Sequence, residues 1–191
     1  MRPVDCIINY LEGFVPLPAE AKAALSAMLH YKRIGRKEHI VWPNQVHEYI
    51  SFIYTGCVRE YYIDDREQEV ALWFGFPYDV VVALPSFIAQ QAGHTGIQAL
   101  DDTEVLQINR TDLYALFDQF HAIERLGRLL TEQYLINSDN YIQSLQTQSA
   151  QVRYENLLAR RPQILQTVPL SMIASYLGIS QETLSRIRAK R

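Results

Sequence analysis

The chain is poor in cysteine: Cys6 and Cys57 are the only two among 191 residues. Two isolated thiols give neither a disulfide framework nor the spacing of a thiolate metal site, and an iron–sulfur centre needs about four cysteine ligands. The expectation is a pair of reduced, inert thiols, as in a cytoplasmic protein. No apolar run approaches the roughly 20 residues of a membrane span, and the N-terminus lacks the apolar centre of a signal peptide, so no membrane partner is expected. Positive charge is also missing from one long stretch. Between Arg66 and Arg110 there is no lysine or arginine, whereas Glu67, Glu69, Asp79, Asp101, Asp102 and Glu104 lie within it. A phosphate buried there would meet repulsion instead of a cation. No Ser/His/Asp constellation or glycine-rich phosphate loop is recognisable, so no enzyme is expected.

What is present divides the chain by charge. Residues 149 to 191 carry seven basic and two acidic side chains, a net +5, against 11 basic and 19 acidic upstream, a net -8. A basic end on an acidic body suits a nucleic-acid reader fused to a different module. The hydrophobic period divides it too. Ile7, Ile8, Leu11, Ala23, Ala24, Ala27 and Met28 recur at helical intervals, interrupted by Pro16 and Pro18. From about Lys32 the pattern becomes that of strands. Tyr49 to Tyr54 and Val58 to Ile63 read as two strands joined at a glycine turn, Thr55-Gly56-Cys57, and a second turn at Asp64 to Glu67 leads into Glu69 to Phe74. Short strands are also expected near Asp79 to Ala83, His94 to Leu100 and Glu104 to Ile108, giving an antiparallel sandwich or barrel. Helical period returns at Thr111-Asp112-Leu113 and runs from about Ala122 to Gln148, with Leu130, Tyr134, Asn137, Tyr141 and Leu145 on one stripe after Ile123 and Leu126. A helix this long predicts a dimer seam, with Asn137 setting register; the alternative is a helix packed only on its own sheet. Val152 to Ala159 forms another helix, and Pro162 breaks the pattern before the final module.

The last segment carries the most specific signal. Val168 to Ile187 reads as helix, tight turn, helix: Ala174 is small enough for a close crossing, Gly178 accepts a positive φ at the turn, and Ile173, Leu177, Ile179, Leu184 and Ile187 close a small core. Ser180 is a favourable N-cap, from which Gln181, Glu182, Ser185 and Arg186 project. This is the pattern of a DNA-reading helix-turn-helix.

The order of elements, with Val41-Trp42-Pro43-Asn44-Gln45, Ile50 to Val58, Ala99 to Val105 and Gln181-Glu182-Thr183-Leu184-Ser185-Arg186, resembles the Crp/Fnr family of bacterial transcription regulators over nearly the whole chain. Asn44 stands where the family often has glycine, and asparagine tolerates a left-handed conformation. The resemblance implies an α+β chain: N-terminal helices and an antiparallel β-roll of jelly-roll type as a cyclic-nucleotide-binding-like sensor (1–121), a long connecting and dimerisation helix (122–148), and a helix-turn-helix domain (149–191). It implies a homodimer on double-stranded DNA, with RNA polymerase as a further partner. Arg186 matches the family's base-reading arginine, suited to guanine O6 and N7, and Glu182 matches the glutamate that accepts from a cytosine amino group; the alternative for Glu182 is a carboxylate favoured by the helix dipole. Gln181 replaces the family's first arginine, and glutamine prefers adenine. Ser180, Thr183, Ser185 and Arg188 complete the expected contacts, with Lys190 and Arg191 as further phosphate anchors or a solvated tail.

One departure concerns the effector. The family's cyclic-nucleotide binders use a Phe-Gly-Glu-x-x-Leu stretch followed by Arg-Ser/Thr-Ala; here the region reads Phe76-Pro77-Tyr78-Asp79-Val80 through Gly93-His94-Thr95-Gly96. Cyclic AMP in the usual mode is not expected, no cofactor is assigned, and the effector stays unknown, with Trp73, Phe76, Tyr78, Asp79, His94 and Thr95 as candidate pocket residues. Two other readings remain at this point. A cupin-type metal-dependent enzyme would need clustered ligands from among His39, His47, His94 and His121; a protein-interaction module would use the same fold without DNA.

Overall fold

The computed structural model of the chain describes residues 2–189. Lys190 and Arg191 lie outside the described residues. Two short helices open the chain, α1 (Pro3–Glu12) and α2 (Ala19–Met28). Proline at the first position of α1 costs no hydrogen bond, because that N–H has no partner within a helix. Eight strands follow: β1 (His30–Ile34), β2 (His39–Val41), β3 (Tyr49–Thr55), β4 (Val58–Ile63), β5 (Glu69–Gly75), β6 (Val80–Val81), β7 (Thr95–Ala99) and β8 (Thr103–Asn109), with the helix α3 (Leu84–Ala89) between β6 and β7. The rest is helical: α4 (Arg110–Gln119), α5 (His121–Thr147), α6 (Ala150–Arg160), α7 (Ile164–Thr167), α8 (Leu170–Tyr176) and α9 (Gln181–Ala189). This is the expected α+β architecture.

The strands form two four-stranded antiparallel sheets, ordered β1-β8-β3-β6 and β2-β7-β4-β5. The expected junction between β3 and β4 exists, but the two strands do not pair with each other. β3 lies against β8 and β6, β4 against β5 and β7, so Gly56 carries the chain from one sheet to the other. Its φ is +91, and an added Cβ would meet Asp102 O at 2.6 Å and Thr103 Cα at 2.7 Å. The crossing is fastened where Leu100 N and the Thr103 hydroxyl both donate to Cys57 O. β1, β2 and α3 had no counterpart in the sequence reading. The first four residues of β1 are exposed, so no apolar alternation marked it.

The buried side chains form three groups. Ile8, Leu11, Leu25, Phe52, Leu106, Ile108, Leu116, Ile123 and Leu126 pack the N-terminal helices and the start of α5 onto the first sheet. Ile34, Val41, Ile53, Val58, Val81, Ile97 and Val105 fill the space between the sheets. The third group joins the second sheet to the C-terminal helices. α4 begins one residue before the expected Thr111-Asp112 start, because Asn109 is the cap: its side chain accepts from Asp112 N at 2.8 Å. Asn44 adopts φ 65, the left-handed conformation expected of it.

Gly56→Ala introduces both a strained φ and a collision with backbone, so it is expected to lower the free energy of unfolding by about 2 kcal/mol or more. Equilibrium denaturation measures this; a variant as stable as the parent would show that the crossing tolerates a side chain.

Candidate nucleic-acid interface

The turn between α8 and α9 is built as the sequence requires. Ile179 N donates to Ala174 O and Gly178 N to Ser175 O, with Gly178 at φ 65. This paired arrangement ends α8 with a left-handed residue. Ser180 then opens α9, accepting from Thr183 N at 3.2 Å. Arg186 Nη2 donates to Thr183 Oγ1, which also lies 3.2 Å from Ser180 Oγ. The cap and the arginine are thus connected through one threonine. Bonding from Ser180 also holds the exposed Glu182 carboxyl below its usual range, with the Arg186 charge a smaller contribution in the same direction.

The face of α9 divides cleanly. Leu184 is buried and Thr183 and Ile187 are half-buried, while Gln181, Glu182, Ser185, Arg186 and Arg188 are exposed, as is Ser180 before them. Gln181, Glu182, Ser185 and Arg186 lie in the first six positions of the helix, and Arg188 follows in its last turn. The expected reading residues are therefore presented together to solvent, on a helix anchored from behind by Leu184.

Two of the basic residues are committed to holding this unit in place. Arg153 donates from Nε and Nη2 to Leu177 O, and from Nη1 to Gln148 O, so it ties the end of α8 to the α5–α6 junction. Arg161 donates to Asp79 Oδ1 at 2.9 Å and lies over the Phe76 ring. On the edge strand β5, Ala71 N donates to Ser175 Oγ at 3.1 Å. The Tyr176 ring then bridges outward: it meets Phe74 of β5 at 5.7 Å and stacks on Tyr141 of α5 at 4.9 Å, where the Tyr141 hydroxyl donates to Tyr176 O at 2.8 Å. Burial pushes the Tyr141 phenol up to about 12, so it remains a donor across the physiological range. The first helix of the helix-turn-helix is thereby fixed to both the roll and the long helix.

On α5 the expected stripe splits. Leu130 joins the N-terminal core and Tyr141 packs on Tyr176. Tyr134 is 39% exposed, and its phenol is raised by partial burial and then by the Glu60 charge. Asn137 is exposed and accepts from Gln133 on its own helix at 3.1 Å. The most uncovered apolar residues are Leu135 at 68% exposed and Ile136 and Ile142 at 54% each, and Leu145 of the expected stripe is exposed as well. Leu135 and Ile142 are seven residues apart, hence on one side of the helix. Their signal was in the sequence but was obscured by the neighbouring stripe, which has more aromatics.

The six candidate pocket residues do not converge. Trp73 and Thr95 are the inward-facing members of β5 and β7, opposite Glu60 and Tyr62 of β4. Phe76 is buried against the C-terminal helices, and Asp79 is held by Arg161 and by Phe76 N. Tyr78 takes a left-handed φ of 73 and packs on Tyr10 of α1 at 5.2 Å. His94 is exposed. The histidines are similarly scattered. His39 stacks on Trp42 and meets the Tyr61 hydroxyl, and burial lowers its pKa. His47 is buried, accepts from Ala83 N at Nδ1, and is pushed down to about 4 by burial. Among the described residues no group of three His, Cys, Asp or Glu side chains could hold a metal ion, and no helix is long and apolar enough to cross a membrane.

Sequence reasoning missed Glu60. It is buried, with its carboxyl pushed up to about 7 by burial. The signal was the adjacent pair Arg59-Glu60 inside a strand, since successive strand residues face opposite sides and one of the two had to point inward. Arg59 takes the outer face, where it bonds Gln98, pairs with Glu69 and lies 4.4 Å over the Tyr61 ring.

Residues 31–120 match the cyclic nucleotide-binding domain family. No curated protein matches the sequence. Solved structures share the fold over most of the chain. FixK2 from Bradyrhizobium japonicum superposes with a TM-score of 0.74 at 20% identity, covering 85% of this chain and 83% of its own. The catabolite activator protein of Thermus thermophilus gives 0.60 at 20% identity, with 99% and 86% covered. The c-di-GMP-responsive global regulator CLP of Xanthomonas campestris gives 0.66 at 17%, with 91% of each covered. Residues 31–120 therefore form a roll of this domain family, and the C-terminal helices follow it in the fold these structures share.

Asp79→Asn removes the charge that holds Arg161 while keeping its shape. It is expected to cut hydrogen-exchange protection at Ala71 N–H by up to about 1 kcal/mol, because that pair is partly solvent-screened. Unchanged protection would mean that the ion pair does not hold the helices to β5.

Proposed function

We propose that the chain is a homodimeric, DNA-binding transcription regulator of the Crp/Fnr type. The observation that carries this reading is the divided face of α9: Leu184 anchors it while Gln181, Glu182, Ser185 and Arg186 stand exposed beyond a Ser180 cap. A helix so mounted can enter a major groove with its first turns against base edges. Arg186 suits a bidentate contact to guanine, Glu182 a cytosine amino group, and Gln181 an adenine. Ser180, Thr183 and Arg188 are assigned to phosphates, which fix register without reading sequence. The fold shared with the catabolite activator protein and with the global regulator CLP supports this assignment.

Two-fold DNA sites require two-fold proteins, and the uncovered Leu135 and Ile142 face of α5 is the surface assigned to the second copy. The roll is read as a sensor that does not take cyclic AMP in the usual way. Its centre is occupied by Ile53, Val58, Ile97 and Val105. The one acidic side chain of the family-like turn, Asp79, is engaged by Arg161, and no cation stands between Arg66 and Arg110 to meet a phosphate. RNA polymerase is the partner such a regulator would contact next. No catalytic step is assigned.

Arg186→Ala is expected to weaken specific duplex binding by about 1–3 kcal/mol, roughly 5- to 150-fold, and to relax preference at one base pair per half-site. Titration of a selected operator at two salt concentrations measures both; unchanged affinity and unchanged salt slope would refute the recognition-helix assignment. Replacing Leu135 and Ile142 together by glutamate is expected to give monomers at about micromolar concentration, read by analytical ultracentrifugation. A double variant that stays dimeric would place the dimer seam elsewhere.

A further inference from the structure

The last carbonyls of a helix have no partner within it and must be met from elsewhere. At the end of α8 two of them, in succession, are met by side chains of preceding helices. Tyr176 O accepts from the Tyr141 hydroxyl of α5 at 2.8 Å. Leu177 O accepts from Nη2 and Nε of Arg153 of α6, at 2.7 and 3.2 Å. The same guanidinium donates from Nη1 to the carbonyl of Gln148, the residue that closes α5. One planar group therefore spans the ends of two helices, α5 and α8, each of which carries partial negative charge.

The corner in which it stands is braced on other sides. Ser149 caps α6 by accepting from Val152 N, and Asn156 Nδ2 donates to Gln148 Oε1 at 3.2 Å. The Tyr141 ring stacks on Tyr176. Leu145 of α5 lies across Gly178, its Cδ2 3.4 Å from where a Cβ would stand. Gly178 leads directly through Ser180 into α9. The covalent route from α5 to α9 passes through α6, α7 and α8, and each joint along it adds freedom. These lateral ties bypass that route and reach the residues immediately before the reading helix. The bonds from the roll, to Ser175 and Arg161, act earlier in the chain. Arg153 is half-buried, and each of its three side-chain nitrogens is engaged within the protein, so it is not free to serve as a phosphate contact.

We propose that Arg153 is a positioning residue for DNA reading. With Tyr141 it fixes the turn before α9 to the end of α5, so that in the dimer the separation of the two reading helices is set at this corner, and with it the half-site spacing the protein accepts. This role rests on the homodimeric regulator reading above. One base pair added between half-sites moves the second by about 3.4 Å and turns it by roughly 35°. A rigid pair of reading helices loses contacts at such a change, whereas a loosely mounted pair follows it at little cost.

Arg153→Met keeps the aliphatic stem and removes every bond the guanidinium makes. Its binding is measured on a selected operator and on the same operator with one base pair inserted or deleted at the centre. The parent is expected to discriminate against both altered spacings by at least about tenfold, and the variant by about threefold or less. Base preference within each half-site is expected to stay as in the parent, because Gln181, Glu182 and Arg186 are untouched. Arg153→Lys restores the charge but cannot fork two carbonyls, so it is expected to behave like Arg153→Met. Spacing discrimination equal to that of the parent overturns the proposal. Loss of base preference within the half-site overturns it too, because that outcome is a general loosening of the unit. Should both variants fail to fold, Tyr141→Phe decides by the same criterion, since it keeps the ring stack and loses the bond to Tyr176 O.

A measurement without DNA separates this role from the regulator reading. Arg188→Cys in a Cys6→Ser background places a nitroxide in the exposed last turn of α9. Cys57 does not compete for the label, being buried with its thiol pushed up to about 12 by that burial. Double electron–electron resonance between the two copies is expected to give a single narrow distance distribution, which Arg153→Met broadens. A distribution that stays narrow overturns the proposal. Broadening in a protein that binds no duplex would remove the regulator reading and leave the corner standing as the joint between α5 and α9. A monomer, with no distance between labels, would remove the dimer reading and this role with it.

Discussion

The C-terminal helices of this protein depend on an apolar cluster shared with the roll. A unit of about forty residues is too small to stabilise itself by its own core. Ile164, Val168, Ile173, Leu177 and Leu184 are buried in one group with Cys57, Ala71, Phe74 and Phe76 of the roll. Each such side chain contributes about 1.5–3 kcal/mol when fully buried, so the roll is a structural requirement for the helix-turn-helix as well as its neighbour in sequence. Tyr176, in ring contact with both Phe74 and Tyr141, makes the long helix a third member of the same assembly.

This dependence explains which parts of the chain were legible as sequence. Local chemistry was: Ala174, Gly178 and Ser180 each act through their own backbone or near neighbours, and the structure uses them as read. The same holds for Asn44, whose left-handed φ needs only its own side chain. Long-range choices were not legible. Gly56 was recognised as a turn, but nothing near it says whether the following strand returns to the same sheet or crosses to the other. Trp73, Phe76, Tyr78, Asp79, His94 and Thr95 were grouped by proximity in sequence; the jelly-roll crossing sends them inward, to the C-terminal helices, to α1 and to solvent.

Charge was similarly ambiguous until it had partners. The excess of basic residues after position 148 suggested a single surface for nucleic acid. In the structure Arg153 and Arg161 support the unit from within, binding a carbonyl at the end of α8 and a carboxylate of the roll. Arg186 and Arg188 remain exposed. The number of cations facing outward is smaller than a count along the chain implies, and the positions that matter are set by the direction of α9.

The bond from Ala71 N to Ser175 Oγ has a further implication. β5 is an outer strand of its sheet, and such a border offers unsatisfied amides to any passing extended segment. In the docked arrangement a serine hydroxyl of α8 occupies one of those amides. Any large swing of the C-terminal helices would uncover this margin, together with Phe74 and Ala71, to other chains. Movement of these helices is therefore limited by self-association as well as by lost burial. A swing long enough to be populated would invite a neighbouring subunit to supply the missing helix, which makes exchange of C-terminal units between copies the natural failure of this design.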